Sequence, residues 1–353
     1  MEAIISIKFM DKKEEKIISI VIPTYNEQNY IKECLNSFLH QDYPKEKMEI
    51  LVVDGMSADK TKELALNYAK KYPFIKVLDN PKRFTPSGFN IGIKNAKGKY
   101  ICFVGGHSKA PRNYVKKIVY AFEKHKDVDC IGVRSKATSL SKSLISKAIA
   151  LSLSSWFGAG SAKFRREEDK TKFTDTVAQP CYRREVFREI GLFNENLIRS
   201  QDMELNLRLK KKGKKILLIP NIAFNYYPKN NLKDFFIHNF EDGIWAVYPL
   251  KFVEIPLCFR HYIPLIFVLS LIISGLFGIF SSLFSFLFSL IIFLYFLTSV
   301  YFSAKIAIKE KDIRLLAVMP IVFAVRHFGY GIGSLIGLIK LIKGDGRKKK
   351  ERN

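Results

Sequence analysis

Charged side chains are absent from one long interval of the sequence. None of the 43 residues from Tyr262 to Ala304 is Asp, Glu, Lys or Arg, although one membrane crossing needs only about 20 apolar residues. The interval therefore predicts a hairpin of two transmembrane helices that turns near Ser281 and Ser282. Arg260 before it and Lys305 after it place both ends of the hairpin in the cytoplasm, since positive charge is retained on that side.

A secretion signal and a cysteine framework are also lacking. Residues 1–16 are rich in Lys and Glu and short of apolar side chains, so we expect the N-terminal part of the chain to stay in the cytoplasm. The five cysteines are odd in number, widely spaced and without a C-x-x-C pair. This spacing predicts free thiols in the core of a protein in a reducing compartment.

Acidic residues are scarce: 33 Asp and Glu face 58 Lys and Arg, which gives a formal net charge of +25. No helix-turn-helix, ribonucleoprotein or zinc-finger pattern accompanies this charge, which argues against a nucleic-acid partner. Next to membrane segments, such an excess is typical of a cytoplasmic surface that contacts anionic lipid. Membrane lipid is therefore an expected partner, and nucleic acid is not.

Short apolar runs alternate with helical patterns through the first 220 residues. Runs predicted as strands lie at 17–22, 49–53, 75–78, 100–104, 130–133, 177–182 and 216–219. Such alternation predicts an α/β fold with a mostly parallel sheet of the nucleotide-binding type. The interval 135–175 breaks the alternation, and we expect one helix and a mobile loop there.

Short polar segments follow the first, second and fourth predicted strands, at 23–27, 54–59 and 105–107. The carboxyl ends of parallel strands meet at one edge of the sheet, where open α/β proteins bind ligands. Asp54 can accept a hydrogen bond from a base or ribose there, and Arg83 can meet phosphate. Turn formation and helix capping are the alternative role of Asp54, which its spacing alone favours.

Five segments carry a family resemblance, in one order along the chain. They are PTYNE at 23–27, VVDGMSADKT at 52–61, NPKRFTPSGFNIGI at 80–93, YRREVFREIGLFNE at 182–195 and QDMELNLRLKKKG at 201–213. Together they resemble the inverting glycosyltransferases of family 2, which have the GT-A fold. Within that family the chain is most similar to membrane-anchored enzymes of bacterial exopolysaccharide synthesis, of the succinoglycan glucosyltransferase type, over about residues 17–340.

The resemblance implies a nucleotide-sugar donor, here a UDP-sugar, bound over the first half of the sheet. Carried to this sequence, the nucleotide site consists of Pro23, Tyr25, Glu27, Asp54, Arg83, Asn90, Gly105 and Gly106. Asp54 would contact the uracil, and Arg83 and Asn90 would help to hold the nucleotide end. The two glycines would form the turn that faces the diphosphate.

The family's catalytic base belongs to an acidic pair that begins the helix after the acceptor loop. Here the pair reads Gln201 and Asp202, so the resemblance implies that Asp202 abstracts the proton of the acceptor hydroxyl. Glu204 is a fallback base, although it is expected to fix the helix instead. The segment HNFEDGIW at 238–245 stands where relatives carry an acceptor-side motif, and its Trp245 either stacks on a sugar ring or serves packing and anchoring.

Relatives hold a divalent cation against the diphosphate with an Asp-x-Asp or Asp-x-His motif. This chain has Gly105, Gly106 and His107 in that place, so the leading carboxylate is missing and a lone His is a poor ligand set for Mg2+ or Mn2+. In one interpretation His107 and the donor diphosphate still hold the metal, and in another the transferase is weakened or inactive. In a third, basic side chains neutralise the leaving group: Lys109, Arg112, Arg165 or Arg166.

The sequence divides into a cytoplasmic catalytic domain at 1–230, an amphipathic interfacial linker at 231–261, the hairpin at 262–304, and a third apolar segment with a basic tail at 305–353. Packing against the catalytic domain is the alternative for the linker. The third apolar segment is either re-entrant or interfacial, or a third crossing. Arg326 and His327 in its middle are expected to meet lipid phosphate, and its glycines from Gly329 to Gly333 to allow close helix packing.

We therefore expect a multi-pass enzyme of the cell membrane whose cytoplasmic domain moves a sugar from a UDP-sugar to a polyprenyl-linked or nascent polysaccharide acceptor. The alternative is a catalytically weakened pseudo-glycosyltransferase that acts as a binding scaffold, and Gly105 is its main support. A transporter built on Arg326 and His327 is a weak third hypothesis, because two or three membrane segments are few for a transport pathway.

Overall fold

A computed structural model describes residues 16–139, 141–160, 162–165, 170–252 and 258–343 of the chain. Within these ranges the strands are β1 Ile18–Thr24, β2 Met48–Asp54, β3 Ile75–Asp79, β4 Tyr100–Phe103, β5 Cys130–Ala137, β6 Lys172–Phe173, β7 Ala178–Arg183 and β8 Ile216–Tyr226. They form one sheet in the order β3-β2-β1-β4-β7-β5-β8-β6. The pairs within β3-β2-β1-β4 and the pair β5-β8 are parallel, which confirms the predicted mostly parallel sheet.

β7 is inserted antiparallel between β4 and β5. Its start therefore lies at the edge where β4 and β5 end, which brings residues near 178 to the carboxyl edge of the parallel strands. β6 is also antiparallel and covers the outer side of β8. The ligand edge of the sheet is consequently built from both halves of the domain.

Eight helices accompany the sheet in the described part of the catalytic region: α1 Ile31–Leu39, α2 Thr61–Lys71, α3 Thr85–Asn95, α4 Tyr114–Lys124, α5 Leu144–Ser154, α6 Trp156–Ala159, α7 Val186–Ile190 and α8 Gln201–Lys211. One face of the sheet is covered by α1 and α4 through residues such as Phe38 and Phe122. The other face is covered by α3, α7 and α8 through residues such as Ile93 and Leu205. This burial directs the first turn of α8 to the ligand edge of the second face.

The interval 135–175 is more ordered than its sequence predicted. Two helices, α5 and α6, form where one was expected, because Ser155 ends the first and caps the second by accepting a hydrogen bond from the Gly158 amide. A 3-10 turn at Lys163–Arg165 then packs against β5 and β8. Residues 161 and 166–169, including Arg166, lie outside the described ranges.

The C-terminal part contains α9 Leu232–Val247, α10 Ile263–Gly278, α11 Ser282–Glu310 and α12 Leu315–Ile342. Three helical segments are long and apolar enough to cross a membrane by length and composition: Phe259–Gly278, Ser282–Glu310 and Leu315–Ile342. The first two form the predicted hairpin, with its turn at 279–281. The third apolar segment is one unbroken helix of 28 residues.

α9 packs closely along α12, and glycines make the contact possible. A Cβ atom on Gly243 would overlap the carbonyl oxygen of Tyr330, and one on Gly333 would overlap that of Phe240. The predicted close packing at the α12 glycines is therefore confirmed. α9 is buried on the side that faces α12, and its contact with lipid stays a prediction.

The cysteine prediction is wrong for one pair. Cys102 on β4 and Cys181 on β7 stand opposite each other in the antiparallel register and form a disulfide. The two cysteines are 79 residues apart, so no local spacing indicated that they pair. Cys34, Cys130 and Cys258 are free thiols, as expected.

Candidate active site

The turns that follow the first three strands have a constrained backbone. Asn26, Met56 and Arg83 have φ angles of 54°, 60° and 62°, a left-handed conformation that is uncommon without glycine and that clusters at functional sites. Side chains hold the turns together: the Asn26 carboxamide oxygen accepts a hydrogen bond from the Ala58 amide at 2.9 Å, and the Ser57 hydroxyl accepts one from the Asn26 amide at 3.0 Å. These hydrogen bonds hold the turn after β1 against the turn after β2.

Three residues of the predicted nucleotide site meet at this edge. Pro23 and Tyr25 are half-buried at the end of β1, and a Cβ on Gly55 would lie 3.4 Å from the Tyr25 Cβ and 3.4 Å from the Arg83 carbonyl oxygen. The structure therefore brings Tyr25 and Arg83, both of the predicted site, to one corner at Gly55. This corner is where the sequence placed the nucleotide.

Asp54 is fully buried and already has partners. Its carboxylate accepts hydrogen bonds from the Ser57 amide at 3.0 Å and from the Ser57 hydroxyl at 2.6 Å. In this structure Asp54 therefore shapes the turn after β2, which is the alternative role that its spacing favoured. A hydrogen bond to uracil would require this turn to open.

The side chain of Asn90 does not reach the ligand edge. Its amide nitrogen donates to the Phe193 carbonyl at 2.9 Å and to the Glu195 carboxylate at 3.0 Å, and its oxygen accepts from the Phe193 amide at 2.9 Å. These bonds tie α3 to the segment before α8. The structure thus contradicts the nucleotide contact expected of Asn90 and makes it a clamp between two parts of the domain.

The turn after β4 contains two glycines, Gly105 and Gly106, that differ in the space around them. A Cβ on Gly106 would lie 2.9 Å from the Thr24 Cγ2 atom, so a larger residue would force the β1 and β4 turns apart. A Cβ on Gly105 would instead lie 3.2 Å from His107 Cε1 and 3.4 Å from His107 Nε2. A side chain at Gly105 would therefore fit only with a small shift of the His107 ring.

His107 is paired with Glu27. The His107 Nδ1 atom lies 3.0 Å from the Glu27 Oε1 atom. This hydrogen bond raises the pKa of His107 although burial opposes the shift. The Nε2 atom lies on the side of Gly105, since a Cβ on that glycine would be 3.4 Å from it.

These residues do not make a metal site by themselves. Within the described ranges no group of three or more His, Cys, Asp or Glu side chains could hold a metal ion. His107 offers one nitrogen, whereas Mg2+ needs near-octahedral coordination, mainly by oxygen. A divalent ion at this turn would have to take most of its ligands from the donor diphosphate.

Asp202 is the accessible carboxylate of the acceptor side. It lies in the first turn of α8, after Ser200 with a φ of 58°, and it is exposed. The surrounding protein raises the pKa of Asp202, and the charge of Asp242 adds to the shift while Arg165 opposes it. The Gln201 side-chain oxygen beside it is buried and has no hydrogen-bond partner among the described residues.

Glu204 is engaged elsewhere and cannot serve as the fallback base. It is buried, and its carboxylate binds the Arg208 guanidinium through two contacts of 2.7 and 2.8 Å. Arg208 also donates to the carbonyl oxygens of Ile190 and Leu192. The pair therefore fixes α8, as the sequence suggested.

α9 contributes a charged group from the segment 238–245, in which His238 and Asp242 had no predicted role. Asp242 accepts from Arg199 at 3.0 Å and lies 3.3 Å from His238 Nε2, while Arg199 also binds Glu241 at 2.7 Å. Burial lowers the pKa of His238. The i, i+4 spacing of His238 and Asp242 was the available signal.

Of the two predicted roles of Trp245, the structure shows packing. It is 6% exposed and lies against Tyr248, with ring centroids 5.0 Å apart, in a cluster with Leu197. A sugar ring has no access to its face in this arrangement. The polar groups of this segment that remain partly exposed are His238 and Asp242.

Arg165 is the predicted cation that lies near the base. Lys109 and Arg112 are paired at the surface with Glu33 and Asp42, each at 2.8 Å. The Arg165 guanidinium lies 5.2 Å from each of the Phe164 and Tyr226 ring centroids, and its charge acts on Asp202. Positive charge on this side is therefore placed next to the reacting groups.

Comparisons with known proteins agree with this geometry. A model described as Glycosyl transferase family 2 matches residues 19–191. A dolichyl N-acetyl-alpha-D-glucosaminyl phosphate 3-beta-D-2,3-diacetamido-2,3-dideoxy-beta-D-glucuronosyltransferase of Methanococcus voltae is 30% identical over 329 residues, which cover 92% of this chain and 97% of that protein.

Two further proteins extend the likeness. Succinoglycan biosynthesis protein ExoA of Rhizobium meliloti (strain 1021) is 27% identical over 229 residues, or 64% of this chain and 67% of that protein. Among solved structures, mannosyltransferase PcManGT from Pyrobaculum calidifontis, in complex with GDP-Man and Mn2+, has a TM-score of 0.56 at 15% identity and covers 91% of this chain and 86% of that chain. The similarity in fold thus reaches across most of the described residues.

Proposed function

Since the chain belongs to glycosyltransferase family 2, we propose that it transfers a sugar, with inversion, from a UDP-sugar to a lipid-linked or nascent polysaccharide acceptor at the cytoplasmic face of a membrane. Family membership rests on the family model and on the relative from Methanococcus voltae. The observation that carries the proposal is Asp202, an exposed carboxylate with a raised pKa at the start of α8. Its helix packs through Leu207 against Leu250 and Tyr262, which precede α10, the first helix with membrane character.

In the proposed reaction Asp202 takes the proton from the acceptor hydroxyl. The hydroxyl oxygen attacks the anomeric carbon of the donor from the face opposite the nucleotide, and the bond from that carbon to the diphosphate oxygen breaks. A general base works best when its pKa approaches the working pH, so the raised pKa of Asp202 suits this task. The carboxylic acid that forms returns its proton to solvent as products leave.

Charge on the leaving diphosphate is met by this chain's own groups. The bond to Glu27 raises the pKa of His107, so its imidazole carries a proton over a wider pH range than a free histidine does. Backbone N–H groups of the turn at 105–107 add donors. A divalent metal, if recruited with the donor, would supply further positive charge at the diphosphate.

The names of two relatives support the proposed class of acceptor. The protein of Methanococcus voltae is named for a dolichyl-linked sugar phosphate acceptor, and the protein of Rhizobium meliloti for succinoglycan biosynthesis. Both names, together with three helices that have membrane character, support an acceptor whose lipid stays in the bilayer. PcManGT was solved with GDP-Man and Mn2+, so GDP-sugars belong in the test beside UDP-sugars.

The test uses the full chain in lipid nanodiscs with a panel of UDP- and GDP-sugars and polyprenyl-phosphate-linked sugar acceptors. Turnover with one donor, lost in Asp202→Asn but kept in the surface control Asp127→Asn, would support the proposal. Asp127 pairs with Lys215 at the surface, so the control removes a carboxylate of equal charge. Nucleotide binding without turnover on any donor, with Mg2+, Mn2+ or chelator present, would support the scaffold alternative instead.

A further inference from the structure

Two polar side chains in the middle of α12 contact the catalytic region rather than lipid. Arg326 Nε donates to the Gly158 carbonyl at 2.6 Å, and Arg326 Nη1 donates to the Asn239 side-chain oxygen at 2.9 Å. His327 Nε2 lies 3.0 Å from the Phe157 carbonyl oxygen. The expectation that both residues meet lipid phosphate is therefore wrong.

The contacts reach α6 at its carbonyl end. A short helix leaves its last carbonyl groups without partners inside the helix, and Arg326 and His327 satisfy two of them. The Phe157 ring packs against the Phe323 ring, with centroids 4.9 Å apart, and stacks on Phe302 at 5.3 Å. α6 is consequently bound to α11 and α12 by both polar and apolar contacts.

The segment before α10 binds the same interval at its other end. Arg260 Nη1 lies 2.5 Å from the Asp175 carboxylate, and Cys258 Sγ donates to the same carboxylate at 2.9 Å. A Cβ on Gly160 would lie 3.6 Å from the Arg260 Cβ. Two arginines from the C-terminal part thus hold the described residues between Phe157 and Asp175 at separate points.

The interval held in this way carries Arg165, whose charge acts on Asp202. A guanidinium among apolar side chains is costly unless its donors are satisfied. The Arg326 contacts therefore persist as long as α12 stays in place. Loss of the Arg326 contacts would remove two of the polar attachments of α6 and α9 to α12.

We propose that Arg326 is a positioning residue: through Gly158 and Asn239 it holds α6 and the following turn so that Arg165 stays packed against Phe164 and Tyr226, where its charge acts on the proposed base Asp202. The helix α12 is then part of the acceptor site as well as an anchor. This inference rests on the proposed function, because it assigns a catalytic consequence to the clamp. The nucleotide turns lie on β1, β2 and β4, away from these contacts, and do not depend on it.

The test compares Arg326→Met with Arg314→Met in the full chain in nanodiscs. Arg314 precedes the same helix, is exposed and pairs with Asp312, so its replacement removes an equal charge without touching α6. Arg326→Lys keeps the charge but cannot donate to both acceptors in the same geometry. Each variant is measured for UDP affinity, for kcat and acceptor KM, and for hydrogen exchange of the amides in 156–165.

Arg326→Met should lower kcat/KM for the acceptor by about 10- to 100-fold, since small misplacements of catalytic groups cost that much. Its UDP affinity should stay within about twofold of the parent, as for a change remote from that site. Arg326→Lys should recover part of the loss, and exchange in 156–165 should rise in Arg326→Met alone. The Arg314→Met variant should match the parent in all three readouts.

Unchanged acceptor kinetics in a folded Arg326→Met variant would overturn the proposal, as would an equal loss of UDP binding and transfer. If the parent shows no turnover on any donor, the proposed function fails while the exchange measurement still tests the clamp. Exchange in 156–165 that is identical in the parent and in Arg326→Met would then reject it. Asp175→Asn, which breaks the second attachment, provides an independent variant should Arg326→Met not fold.

Discussion

His107 Nδ1 lies 3.0 Å from Glu27 Oε1, which joins the turn after β4 to the turn after β1. The hydrogen bond raises the pKa of His107. His107 stands at the turn assigned to the diphosphate, and its side chain is 60% exposed. The charge of this turn therefore depends on pH and on Glu27.

UDP affinity should weaken as pH rises through the raised pKa of His107, because the imidazole is cationic below that pKa and neutral above it. Glu27→Gln removes the negative partner, so the midpoint should move to lower pH. Titration calorimetry of UDP binding over a pH series, with the His107 ring followed by NMR, measures both. An identical midpoint in the two proteins would contradict the assignment.

Gly105→Asp should make UDP binding depend on Mn2+. The Cβ would lie 3.2 Å from His107 Cε1, so a small shift of the imidazole admits it, and the added carboxylate would supply a second protein ligand next to the diphosphate. The comparison is UDP affinity with Mn2+ and with chelator, in the variant and the parent. Gly106→Asp is the matched control, and its Cβ would meet Thr24 at 2.9 Å, so it should lose stability rather than gain metal dependence.

Asp242→Asn should shift the acid limb of the rate profile to lower pH. Transfer requires ionised Asp202, so activity falls as pH drops through its raised pKa. The charge of Asp242 contributes to that rise, and removing it lowers the pKa of Asp202. The measurement is kcat/KM against pH for parent and variant, with Asp234→Asn on an exposed part of α9 as control. An acid limb that stays in place or moves upward would count against the assigned base.

Asn90→Ala should destabilise the catalytic domain by about 2–3 kcal/mol, because it leaves the Phe193 amide and carbonyl without partners in a buried place. Asn95→Ala on the same helix removes one exposed hydrogen bond to Ile91 and should change stability by about 0.5 kcal/mol or less. Thermal unfolding of both variants in detergent measures this difference in stability. Equal midpoints would show that the Asn90 clamp does not stabilise the fold.

Local patterns predicted most of the catalytic fold, since strand and helix periodicities are properties of neighbouring residues. They missed the length of β8, which continues to Tyr226 although Pro220 and Asn221 interrupt its apolar run. The register against β5 shifts from Ile219 to Ala223 at that point, so an irregularity accommodates the proline. The direction of β7 was equally hidden, because a buried strand has the same pattern in either orientation.

In the candidate site, too, some residues could be predicted from local motifs and others could not. Asp202, His107 and the glycines of the β4 turn were found because their motifs are short and local. The partners that set their chemistry, such as Glu27 for His107 and Asp242 for Asp202, come from distant parts of the chain. The role of Asn90 was misjudged for this reason: its partners at Phe193 and Glu195 lie 103 and 105 residues away.

The glycine contacts between α9 and α12 have a consequence for protein engineering. The backbones of the two helices are in contact at Gly243 and Gly333, so the facing surfaces of α9 and α12 are complementary in shape. A chimera that grafts the C-terminal helices of one relative onto the catalytic region of another should assemble only when both helices are transplanted as a matched set.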